Sequence, residues 1–404
     1  MRATGLSLDG RWLAVAMLLA YYAVLGLTGP AGALIERWHR AGVYALPLPF
    51  ADLQVFPAAR ATVASGGELY GASAADPLKR PYNYPRVWLA FMRFPASDVW
   101  IRGVGFALAV GAISALLLFW GRLSAGEGLF GGALLCSPAF QLGVERGNTD
   151  LAILALLIGG VSLAGEGKRG RLATAIWWLA AILKLYPVVA LGSGFEGSLR
   201  GWLRRTWLPL ALFAAYLVLS WRDLMPILRN TGGGWVQSYG SEMLAWTAGQ
   251  VKSYYGLDLT GGFQISGWGR LLAAGGVGGI LVRSWLGRPA MPAQDQALPP
   301  AARRARIGFR IGALVFVATF IVGTSFDYRQ CFLLLTLPQL FAWQREGGRS
   351  AAIALTALLF SLGTNYLLAG WPGFVLKEIA GWVLLFVLAA LLGSTWCRVG
   401  QSRS

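Results

Sequence analysis

The chain has 404 residues, of which 56% are hydrophobic and only 13% charged. A soluble domain carries about twice that charged fraction, so the composition excludes a string of soluble domains. It predicts one polytopic membrane domain over residues 1–404. The net charge of +17 lies in short basic clusters between apolar runs, the pattern of cytoplasmic membrane loops and not of a nucleic-acid surface.

At the N-terminus, Arg2 and Arg11 precede an uncharged run from Trp12 to Ile35. The "AGA" at 31–33 faintly resembles a signal-peptidase site, but the length of the run and its Tyr21 and Tyr22 suit an uncleaved first span. That span is expected at 11–28, with further spans at 99–120, 128–144, 149–165, 206–221, 267–286, 308–325, 328–344, 350–369 and 376–396. The stretch 172–199 has "GKRGR" before it and "RGWLRR" after it. A pair of half-helices broken at "KLYP" (184–187) keeps both basic clusters on one side, where one straight span would separate them. The total is about ten to twelve transmembrane helices in an all-α fold.

The basic segments 121–122, 167–171, 288–306 and 345–349 and the tail are assigned to the cytoplasm, with 287–307 as a Pro-, Ala- and Arg-rich linker. The unusual polar segments then collect on the opposite side. They are the first loop 29–98, "ERGNTD" (145–150), the loop 222–266, "SFDYRQ" (325–330) and "GWPGF" (370–374).

In the first loop, "ADLQVFPAARATVASGGELYG" has helical periodicity, too short and too polar to span, and so is expected to lie in the membrane interface. Asp52 falls at its N-cap or in its first turn, "SGG" (65–67) stops it, and Pro57 is awkward inside it. Asp52 has two readings, a cap for this helix or a carboxylate held at the bilayer surface as a general base. Glu68 and Asp76 read as solvated loop acids. The turn "PYNYP" carries Tyr82, Asn83 and Tyr84, either an aromatic re-entry to the membrane or a wall of a substrate pocket. Cys136, Cys331 and Cys397 and the single His39 have neither a disulfide framework nor a metal-ligand spacing, so no metal or cofactor is expected.

Four motifs in order carry a resemblance: "DLQVFPAARATVASGGELY", "YNYPR", "ERGNTDLAILALL" and "AILKLYPVVAL". Together they resemble glycosyltransferase family 87, the polyprenyl-phosphate-mannose-dependent enzymes with the integral-membrane C-type glycosyltransferase fold. The resemblance is firmest over residues 1–210. It departs from the family pattern at Phe56-Pro57, where two aromatics are common, at Arg86, where a second Pro is frequent, and at Glu145-Arg146, where Gly-Gln is common.

The resemblance implies an inverting transfer of a sugar from a polyprenyl-phosphate donor to a hydroxyl of a glycolipid or glycan acceptor. The active site would face the extracytoplasmic side of the inner (plasma) membrane, and Asp52 would be the base. Mannose is the sugar the family suggests; arabinose, glucose and galactose stay open. Lys184, Arg329 and Arg146 are the candidates for holding the donor phosphate, and Tyr82, Asn83, Tyr84 and Asn148 for lining the sugar pocket. Each has a plainer alternative. Lys184 could snorkel at a helix end, Arg329 pair with Asp327, Arg146 pair with Glu145 or Asp150, and Asn148 cap the next span. The rival functions are a membrane transporter or lipid flippase, and a non-catalytic membrane scaffold.

Overall fold

The structure is a computed structural model that describes residues 9–27, 33–165, 167–195, 199–231, 237–255, 267–286, 298–364 and 371–396. Among the described residues, four helices are long and apolar enough to cross a membrane: Gly10–Leu27, Asp98–Trp120, Pro300–Val322 and Pro372–Thr395. Two sharply bent pairs, Pro138–Arg146 with Asp150–Leu163 and Leu199–Leu219 with Trp221–Asn230, raise the number to six if each is one span. The chain is thus an all-α, multi-pass membrane protein. Among the described residues, two short strands, Ser238–Tyr239 and Ser325–Phe326, pair antiparallel.

Several of the expected straight spans are broken, for reasons local to the sequence. The run 128–144 divides into Ala125–Leu135 and Pro138–Arg146. Ser137 caps the second piece by accepting from the Phe140 amide, and Pro138 cannot continue the first. The next helix, Asp150–Leu163, turns away from Pro138–Arg146 by 108°. Gly147 makes that corner with φ of 60°, a conformation that suits glycine. Helix Gly167–Lys184 ends inside "KLYP", where Leu185 takes φ of 58° and the 3-10 helix Tyr186–Gly194 follows. The expected span 328–344 is likewise a 3-10 helix, Asp327–Thr336, followed by Leu337–Arg345.

Other boundaries also move. Helix Leu199–Leu219 already includes "RGWLRR", and helix Pro300–Val322 takes up residues 300–307 of the expected linker. Residues 287–297 of that linker lie outside the described residues, as do Arg2, Cys397, 232–236 and 256–266 of the loop 222–266, 365–369 of the expected span 350–369 and Gly370 of "GWPGF". Trp371 opens helix Trp371–Thr395, so most of "GWPGF" is helical.

Helix Pro300–Val322 forms the centre, buried almost all round from Gly308 to Phe320. Its small residues let neighbours approach closely. A Cβ on Gly312 would lie 2.6 Å from the Phe332 carbonyl of the 3-10 helix. Buried Arg310 on the same helix donates to the Ser193 carbonyl and to Thr395, fastening two chain segments. Helix Leu199–Leu219 is the opposite case, with Thr206 as its one buried residue. It presents Trp207, Leu212, Val218 and Leu219 outward, as a lipid-facing helix does.

Candidate functional site

The first-loop helix is Ala51–Ala64. Its N-cap is Phe50, held in the left-handed region with φ of 50°, and no side chain caps it. The Phe50 amide donates instead to the Glu145 carbonyl at 3.0 Å, tying the helix start to the end of Pro138–Arg146. Asp52 is therefore one residue inside the helix, where a negative charge suits the macrodipole, but it is not the cap. Leu53, Val55, Phe56, Ala58 and Ala59 are buried within the protein, so the first half of the apolar face is covered by the chain, while Val63 nearer its end is exposed.

Both Asp52 carboxylate oxygens have partners. Oδ1 lies 3.3 Å from Arg80 Nη1, and Oδ2 accepts from Asn148 Nδ2 at 2.6 Å. The carboxylate keeps 15% of its side-chain surface open. Arg80 is shared. It also donates to the Ala51 carbonyl at 2.6 Å and from Nε to Asp76 Oδ2 at 3.0 Å. Asp76 corrects the sequence reading. It is not a solvated loop acid but is 1% exposed, receiving the Arg80 backbone amide as well. Burial works against the Arg80 charge, but the hydrogen bonds to Asp76 and the Asp52 charge outweigh it and hold the guanidinium pKa above its usual value. Glu68 is exposed, as expected.

Asn148 joins this cluster to a second one. Its Oδ1 accepts from the Asp150 amide at 2.9 Å while its Nδ2 faces Asp52, and it is fully buried. Asp150 opens the apolar helix Asp150–Leu163 and is 1% exposed. Its Oδ1 lies 2.9 Å from Lys184 Nζ and accepts from the Tyr186 hydroxyl at 2.8 Å. Its Oδ2 lies 3.5 Å from Arg329 Nε. Lys184 sits over the Tyr84 ring and Arg329 over the Tyr186 ring, each at 4.8 Å. The broken chain at "KLYP" thus places Lys184 and Tyr186 on the same carboxylate.

The remaining candidates stand elsewhere or in other roles. Arg146 pairs with its neighbour Glu145 at 3.1 Å and donates to the Tyr44 carbonyl. Tyr82 is 1% exposed and packs on Phe56, Tyr70 and Tyr84, with its hydroxyl donating to the Pro85 carbonyl. Tyr82 is core rather than pocket wall, and burial raises its hydroxyl pKa. Asn83 is half-buried. Arg329 does not pair with Asp327, which is taken by buried Lys377 at 2.9 Å.

Sequence reasoning passed over Arg80, Tyr186 and Lys377, and weighed Asp150 only as a partner for Arg146, whereas it pairs with Lys184 and Arg329. The available signal was a charge next to or inside an apolar run, as in "DLAILALLIGG" and "FVLKEIAGWVLLFV", because such charges are costly unless paired. No family model matches the sequence, and no curated protein and no solved structure matches it.

Proposed function

We propose that this protein is an inverting glycosyltransferase, as its resemblance to glycosyltransferase family 87 implies. It would move a sugar, mannose in the first instance, from a polyprenyl-phosphate donor to a hydroxyl of a glycolipid or glycan acceptor on the extracytoplasmic face of the inner membrane. The observation that carries this reading is a pair of oppositely unbalanced charge clusters joined through Asn148. Asp52 and Asp76 share one guanidinium, leaving a negative charge over. Lys184 and Arg329 share one carboxylate, leaving a positive charge over. A base and a phosphate site have those two signs and need to be neighbours.

The step follows from that placement. The acceptor hydroxyl donates to Asp52 and its oxygen attacks the anomeric carbon. Its proton passes to the Asp52 carboxylate as the new carbon–oxygen bond forms. The bond from the anomeric carbon to the phosphate oxygen breaks on the opposite side, and its electron pair leaves with the polyprenyl phosphate. Lys184 and Arg329 stabilise the charge that develops there. One base and one displacement invert the configuration, with no sugar bound to the enzyme.

The test incubates purified protein with a labelled polyprenyl-phosphate sugar and a lipid acceptor fraction. Wild type forms a labelled glycoside. Asp52→Asn loses about a hundredfold or more of that rate while still binding the donor. Near-normal turnover in Asp52→Asn overturns the role of Asp52. Broken helices carrying paired charges also suit a lipid flippase. Labelled lipid that crosses the bilayer without forming a new glycosidic bond would establish that rival.

A further inference from the structure

Asp150 touches neither the attacking nor the leaving oxygen in the proposed step, yet it holds both cations. The same protein contains a closed ion pair for comparison. Lys377 reaches both oxygens of Asp327 at 2.9 and 3.1 Å, and the two side chains are 1% and 0% exposed. The Asp150 cluster is built differently. The acid is 1% exposed, but Lys184 keeps 10% and Arg329 keeps 15% of its side-chain surface open, so an arriving ligand meets the cations and not the carboxylate. Arg329 Nη1 donates to Ser325 Oγ, while its buried Nε and Asp150 Oδ2, 3.5 Å apart, make no hydrogen bond. The guanidinium is held near the acid without being committed to it.

Asp150 itself is firmly placed. The Tyr186 hydroxyl donates to Oδ1, and its amide donates to Asn148. Its charge therefore stays behind the two cations whatever they bind. We infer that Asp150 sets the charge selectivity of the phosphate site, cancelling one of two cations so that the singly charged phosphodiester donor is accepted and the doubly charged phosphomonoester product is not trapped. Coulombic attraction grows in proportion to ligand charge, whereas the cost of desolvating the ligand grows with its square. One unbalanced cation in a poorly hydrated site thus favours the monoanion, and two would favour the dianion. This inference rests on Lys184 and Arg329 being the phosphate site.

The probes are farnesyl phosphate and its methyl diester, at about pH 8, where the monoester is doubly charged. Affinities are measured by tryptophan fluorescence on purified wild type, Lys184→Met, Asp150→Asn and the double variant. The monoester-to-diester affinity ratio is expected to rise from Lys184→Met to wild type to Asp150→Asn, the last step by about tenfold or more. The double variant, with one cation and no acid, is expected to return to the wild-type ratio. An unchanged ratio between wild type and Asp150→Asn overturns the inference. If Asp150→Asn does not fold, Lys184→Met against the double variant isolates the same charge, with the same rise expected and the same null result overturning it. Affinities for both probes that no variant alters would instead place the phosphate elsewhere and overturn the underlying reading of Lys184 and Arg329.

Discussion

Asp52 is an acid in the first turn of a helix that it does not cap. Its two oxygens are spent on Arg80 and Asn148, and the cap position belongs to Phe50. A carboxylate held by two donors on neighbouring segments has a fixed direction, which a general base requires. Asn148 should therefore be sensitive to small changes. Asn148→Asp puts a second carboxylate where the amide donates at 2.6 Å, and transfer should fall by about a hundredfold or more through misprotonation of the pair. A pH–rate profile of that variant, displaced from wild type, checks the cause; a profile of unchanged shape and height refutes it. Lys184→Met should lower the transfer rate by about a hundred- to a thousandfold, the usual loss for one charge-stabilising donor. Steady-state kinetics that show only reduced protein yield, with normal turnover per folded molecule, would leave Lys184 a structural residue.

At the scale of elements, the site exists because three helices stop early. Gly147 turns the chain between Pro138–Arg146 and Asp150–Leu163, Leu185 ends Gly167–Lys184, and the 3-10 helix Asp327–Thr336 replaces a straight span. Each break delivers a polar group: Asn148 and Asp150, then Lys184 and Tyr186, then Arg329. Gly147 can be tested directly. A Cβ there would meet Phe50 Cβ at 2.9 Å and Leu53 Cδ1 at 3.0 Å, on a backbone with φ of 60°. Gly147→Ala should cost about 1–3 kcal/mol of stability from strain and contact together. It should also push the first-loop helix off Asn148 and reduce transfer. Thermal melting in detergent measures the first effect; a melting temperature equal to wild type would show that the corner tolerates a side chain. Trp88 has a similar duty. Its indole donates to the Leu183 carbonyl at 2.8 Å, bringing the first loop against the end of the Lys184 helix.

At the scale of the molecule, magnitudes separate the ion pairs that matter from those that do not. Arg86–Asp223 joins the first loop to helix Trp221–Asn230, but Arg86 is 62% exposed, and such a pair contributes at most about 1 kcal/mol. Asp223→Asn should leave the melting temperature within error. Lys377–Asp327 is fully enclosed and also holds the Ser238 carbonyl, so it ties the paired strands and the 3-10 helix to Trp371–Thr395. Lys377→Met takes the cation away from a buried carboxylate that then keeps only neutral donors such as the Gln330 amide among its described partners, and should destabilise by about 3–5 kcal/mol. Lys377→Met combined with Asp327→Asn should recover much of that loss. A double variant no more stable than the single one would assign the damage to packing instead.

Composition and hydropathy alone determined that this is an all-α, multi-pass membrane protein, because about twenty apolar residues in a row have few other homes. They also placed the first-loop helix to within a residue at its start, and the break at "KLYP", since Pro187 and a membrane-embedded lysine both oppose a straight span. Hydropathy could not count the spans, because an apolar run reads the same whether it is one helix or two bent pieces. It also could not tell solvated Glu68 from buried Asp76, since the difference is a single guanidinium, Arg80, folded back onto the loop. The pairings of Asp52 with Asn148 and of Asp150 with Lys184 and Arg329 join residues 96, 34 and 179 positions apart. No local pattern encodes such distances. They were decided only when packing brought the broken helix ends together, where buried charges must find partners or leave the membrane.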